Sequence, residues 1–102
     1  MKTKERLYGK IVVVLPNEHE RTVTYYILDS NTQNGGKIEH VYGLKAEETV
    51  ENSDSHQIKS VIDISPSYEE IERLAKKMLL GFVTLPFFED IIEDYAADCP
   101  LL

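Results

Sequence analysis

Apolar and polar residues alternate along the first two thirds of the chain, and apolar ones then recur every three or four residues along the last third, so strands are expected first and helices after them. Arg6–Leu15 is β-branched and nearly unbroken, which predicts a mostly buried strand. Arg21–Asp29 puts Val23, Tyr25 and Ile27 on one side and Thr22, Thr24, Tyr26 and Leu28 on the other. Both sides are fairly apolar, so this strand is expected at the centre of a sheet. Between these two strands, Pro16–Glu20 reads as a turn. Ser30–Gly36 is the strongest turn signal, ending in Asn34-Gly35-Gly36, and predicts a hairpin with a loop of more than two residues. In Lys37–Glu47, Ile38, His40, Tyr42 and Leu44 share a face, and Gly43 marks a bulge or the close approach of another group. Residues 46–56 are polar and acidic without periodicity and read as a mobile loop or a short extension of the hairpin, and Gln57–Ile64 gives a fourth strand. Residues 1–5 are expected to fray.

Ser65-Pro66-Ser67 opens the helical part, with either Ser65 before Pro66 or Ser67 before Glu70 as the cap. Tyr68, Ile71, Leu74, Ala75, Met78 and Leu79 form the inner stripe of the first helix, and Gly81 ends it. The second helix, Leu85–Asp98, has Thr84 before it, Pro86 in its first turn and Pro100 beyond its end. Its apolar stripe is Phe87, Phe88, Ile91, Ile92 and Tyr95. Four strands followed by two helices predict an α+β fold, a four-stranded antiparallel meander with two C-terminal helices packed on one face. With 102 residues the chain is expected to be a single domain spanning 1–102.

Charge changes this picture at one place. The formal net charge is −7, yet residues 78–102 contain five of the 18 acidic residues and none of the 11 basic ones. Asp90, Asp94 and Asp98 repel one another at i,i+4 spacing, and the later acids oppose the helix dipole. A helix selected only for stability would carry Lys or Arg there. The acidic face is either solvated or a docking surface for a basic protein, with Glu89, Asp90, Glu93 and Asp94 as the partner-binding candidates. The acidic balance argues against direct binding to nucleic acid or anionic lipid, and the longest apolar run, Ile11–Leu15, is too short to cross a membrane. One cysteine, Cys99, excludes an internal disulfide. With no secretory signal pattern at the start, the expected setting is cytoplasmic.

Chemistry-bearing motifs are absent. His19, His40 and His56 are scattered, Cys99 has no partner cysteine, and no nucleotide-binding glycine loop or metal-ligand pair occurs. The reading is therefore non-enzymatic, with no catalytic residue, cofactor or metal: a protein-interaction or regulatory module using the acidic helix or the uncovered sheet face. An acidic inhibitor that mimics nucleic acid is the alternative. A binder of a small ligand in the sheet–helix cleft, with Tyr42 or His40 as polar handles, is another. Six tyrosines also admit an aromatic contact patch. Val12, Val14, Tyr26 and Leu28 are the candidates for an apolar open face, which a homodimer would cover.

Several short stretches, Tyr25-Tyr26-Ile27-Leu28, Tyr42-Gly43-Leu44, Ile64-Ser65, Val83-Thr84-Leu85-Pro86 and Asp90-Ile91-Ile92-Glu93-Asp94, recur in that order in a family of small Firmicute proteins of unknown function, which this chain resembles over nearly its whole length. The 46–56 segment and the Pro100-Leu101-Leu102 tail depart from that layout. The resemblance implies a stand-alone bacterial cytoplasmic protein and brings with it no activity, ligand or catalytic residue.

Overall fold

Four antiparallel strands pair in the order β1-β2-β3-β4 as one open sheet: β1 Lys2–Val13, β2 Arg21–Asn34, β3 Lys37–Val50 and β4 His56–Ser65. Helices α1 (Tyr68–Leu80) and α2 (Leu85–Asp98) follow and cover one face, α1 across the sheet and α2 over β3 and β4. This computed structural model describes residues 2–14, 20–51, 53–54, 56–81 and 83–98. The fold is the α+β meander that the pattern predicts. The expected turn at Pro16–His19, together with Cys99 and Pro100, lies outside the described residues.

The strands are longer than the pattern suggests. Lys2–Glu5 are not frayed: they pair with Leu28–Asn31 of β2, because the β2–β3 hairpin runs on past the helices and gives them a partner. That hairpin closes in a two-residue loop, not a longer one. Asn34 pairs with Lys37, and Gly35 and Gly36 take positive φ of 58° and 82°, the primed-turn geometry that matches strand twist. Ala46–Val50, expected in a loop, pair with Arg21–Tyr25 and continue β3. Polarity misleads here because Ala46 and Glu48 lie on the buried face while Glu47 and Thr49 face outward.

The core forms between the inner sheet face and the helix pair. Val23, Tyr25 and Ile27 of β2 and Leu44 and Ala46 of β3 meet Ile71, Leu74, Ala75 and Met78 of α1 and Leu85, Phe88 and Ile92 of α2. The Tyr25 hydroxyl donates to the Val83 carbonyl and pins the link between the helices to the central strand. At the start of α1, Ser67 is the cap and not Ser65: its hydroxyl accepts from the Glu70 N–H, while the Ser65 hydroxyl accepts from the Ser67 N–H at 3.1 Å. Gly81 ends α1 with its N–H on the Lys77 carbonyl at 3.0 Å.

Two register shifts shape everything above the sheet. In β1 the shift falls between Leu7 and Gly9, so Tyr8 is an extra residue. In β4, Val61 pairs with Leu44 but Ser65 pairs with Tyr42, so Ile62–Ile64 bulge opposite Gly43. The reason lies in Gly43: a Cβ there would overlap the carbonyl oxygens of Val61 and Ile62. The bulge turns both Val61 and Ile64 onto the core and leads the chain at Ser65 directly into α1.

Candidate functional site

Two surfaces concentrate chemistry, the outer face of α2 and a groove at the mouth of the sheet–helix cleft. On α2, Leu85, Phe88 and Ile92 are buried, with Ile91 and Tyr95 packed at their flanks. Phe87 is the exception to the predicted stripe. It is 60% exposed, because a fifth large residue falls too far round the helix to reach the sheet. It lies on the same side of the helix as Asp90 and Asp94, with Glu93 further round; all three acids are exposed and without an ion-pair partner among the described residues. Glu89 separates from them: it points to the sheet edge, where its carboxylate lies 3.5 Å from Lys59 Nζ. Of the four predicted residues the fold therefore leaves three unpaired, two of them, Asp90 and Asp94, beside an aromatic side chain that the periodicity had assigned to the core.

The groove, about 410 Å³, is lined by Lys4, Glu5 and Arg6 of β1, Ile27 and Asp29 of β2, Tyr42 of β3 and Tyr68 of α1. It forms because α1 begins beside Tyr42 while the strands continue beyond. Tyr42 and Tyr68 meet edge to face at 5.5 Å, and the Arg6 guanidinium lies 5.7 Å from the Tyr68 ring centre with Nη1 3.4 Å from its hydroxyl. His40 stacks beside Tyr42 at 6.2 Å and holds Asp29 Oδ1 through Nδ1 at 3.1 Å. Tyr42 and His40, the predicted handles, are thus adjacent. Lys4 and Arg6 are not foreseen by the alternation. Gly9, a glycine inside a strand, is the one local sign of the bulge that turns them inward.

The uncovered sheet face is mixed. Val12 and Val14 are exposed on it, as predicted, together with Leu7 on β1 and Ile58 and Ile62 on β4. Leu28 is only 3% exposed, because it sits in the central strand between Glu5 and Gly43, where the β4 bulge closes in. Tyr26 is half-buried beneath Lys45, whose ammonium lies 5.1 Å from the ring centre and 2.9 Å from Glu5 Oε1. The Glu5 contact raises the Lys45 pKa above its ordinary value. Inside the core, Glu48 is 7% exposed and its Oε1 makes no hydrogen bond. Burial, and secondarily the Glu48 charge, push the Tyr25 hydroxyl up to about 12. Burial also raises the Tyr8 hydroxyl, aided by Glu72. Among the described residues no three His, Cys, Asp or Glu gather where a metal ion would be held. No helix is long and apolar enough to cross a membrane.

An open four-stranded antiparallel meander with two C-terminal helices on one face defines a small α+β protein. The chain belongs to the family of unknown function DUF6514, whose model matches residues 4–98. No curated protein and no solved structure matches it.

Proposed function

We propose that this chain is a small non-enzymatic interaction module that docks a basic protein surface on the outer face of α2. The carrying observation is that Asp90, Glu93 and Asp94 stand exposed and, among the described residues, unpaired, with the exposed Phe87 beside Asp90 and Asp94. An aromatic anchor beside a row of like charge is the composition of a recognition patch, in which the aromatic supplies buried area and the acids supply orientation and encounter rate. The acids do not serve the fold, since they sit opposite the packed stripe and repel along the helix. Mimicry of nucleic acid is less well supported, because the carboxylates occupy one helix of roughly 20 Å and no second row continues them.

The test starts with affinity capture and mass spectrometry, followed by binding of the purified candidate partner to wild-type protein and to two variants. One variant carries Asp90→Lys, Glu93→Lys and Asp94→Lys, and the other carries Phe87→Ala. The charge reversal is expected to abolish binding and Phe87→Ala to weaken it by about 2 kcal/mol, with wild-type affinity falling as salt rises. Unchanged binding of both variants would remove α2 from the interface. Displacement of the partner by duplex DNA at low salt would favour the mimicry reading instead.

A further inference from the structure

The groove at the mouth of the cleft carries a second reading, independent of the α2 surface. We infer that it is a binding site for a small aromatic anion, with the oxyanion held by Lys4 and Arg6 and the planar body lying against Tyr42 and Tyr68.

The first support is how the cations come to be there. In an unbroken strand, Leu7 and Glu5 would share the face of Gly9 and Ile11, and Arg6 and Lys4 would face away. The extra residue at Tyr8 inverts this, so Arg6 pairs with Ile27 and Lys4 with Asp29 on the helix-covered side. Leu7 is left 64% exposed as a result. An apolar residue is given to the uncovered face and two cations are turned to the helix-covered side, at the mouth of the cleft. Packing alone would favour the opposite arrangement, and such local reversals are where function is expected.

The second support is electrostatic. The carboxylate on this side of the groove, Asp29, is engaged with His40 at 3.1 Å, while Glu5 turns its carboxylate to Lys45 on the uncovered sheet face at 2.9 Å. Lys4, opposite Asp29 in the register, has no hydrogen-bond or ion-pair partner among the described residues. The groove is therefore locally cationic on a chain of net charge −7. Arg6 touches Tyr68 through Nη1 and the ring, which leaves its other N–H groups as a fork suited to a carboxylate or a phosphate.

The third support is size and lining. A volume of about 410 Å³ lies within the range of small-molecule sites, and the walls combine the two tyrosines and Ile27 with a mostly charged rim of Lys4, Glu5, Arg6 and Asp29. It suits a single substituted ring and not a macromolecule.

Binding is tested by titrating the labelled protein with phenyl phosphate, benzoate, inorganic phosphate and neutral phenol, following backbone amide shifts. Phenyl phosphate or benzoate is expected to move amides at Lys4, Arg6, Tyr42 and Tyr68, with phenol at least about tenfold weaker because it offers no charge to the Arg6 fork. The relative affinity of the two anions then tells phosphate from carboxylate. Lys4→Gln, which removes no contact of the fold, should weaken binding several-fold, and Arg6→Gln more so, while Lys10→Gln on the opposite sheet face should leave it unchanged. Thermal melts separate loss of binding from loss of folding. Absence of shifts at millimolar probe, equal binding of phenol, inorganic phosphate binding as tightly as phenyl phosphate, or indifference to Lys4→Gln would each overturn the inference.

Discussion

Tyr25 joins three parts of the molecule through one hydroxyl. Its ring is fully buried in the central strand, and its O–H donates to the Val83 carbonyl between the helices. Nothing in the alternation of β2 distinguishes it from Tyr26, since both read as apolar strand residues and only the helix link above Tyr25 sets them apart. Tyr25→Phe should cost about 1–2 kcal/mol in urea denaturation, because it leaves a buried carbonyl without its donor. The same group sets an alkaline limit. The folded-state pKa is raised from 10.0 to about 12, so the neutral hydroxyl is favoured in the folded state. Its stabilisation is complete below pH 10 and is lost as pH rises from 10 toward 12. Denaturation midpoints measured across that window should fall for the wild type and fall less for Tyr25→Phe.

At the level of elements, the meander and both helices are legible because their periods of two and 3.6 residues are kept over most of each segment. What escapes are the features in which one residue changes the phase. The Gly43 signal points to the β4 bulge, yet strand four read as strict alternation would have put Ile62 with Ile64 on one side. The β1 bulge is hidden in a run so apolar that either face satisfies the pattern, and with it the inward turn of Lys4 and Arg6 is hidden too. Gly43→Ala should be destabilising by about 3 kcal/mol, since the new methyl meets backbone oxygens that move only if the bulge unwinds. Equilibrium unfolding measures this, and the coupling of Tyr42 to Tyr68 should weaken in parallel. On α2 the opposite sign is expected. Asp94→Lys places a base four residues after Asp90 and near the helix C-terminus, which should stabilise by about 0.3–0.5 kcal/mol. A raised thermal midpoint together with lost partner binding would show that the acid is kept for contact and not for folding.

Taken whole, the molecule is 55 Å long but only 17 Å thick, so it is a plate and not a sphere. The helices load one half of that plate with the core, and the β2–β3 hairpin carries the other half beyond them. Backbone amides of Thr32–His40 should therefore exchange with solvent about a hundredfold faster than those of Val23–Ile27 and Leu44–Ala46. Hydrogen exchange followed by mass spectrometry or by amide resonances reads this directly, and uniform protection along both strands would contradict it. The groove lies at the seam between the well-packed half and the thin one. An occupant there would tie Lys4 and Asp29 of the thin half to Tyr68 of the packed half, so it should slow exchange in the hairpin more than in the core.

The extra residue in β1 has an evolutionary side. Side-chain direction along a strand is binary, and Tyr8 acts as the bit that resets it for everything between Lys2 and Leu7. If Tyr8 took a place in the ladder and did not bulge, strict alternation would present Leu7 and Glu5 to the space beneath Tyr68 and send Arg6 and Lys4 to the opposite side, whereas deleting Tyr8 closes the bulge and leaves both cations where they are. In this fold the place of the bulge decides between a cationic groove and an apolar one, and whether Tyr8 pairs or bulges is where a change of ligand would be written.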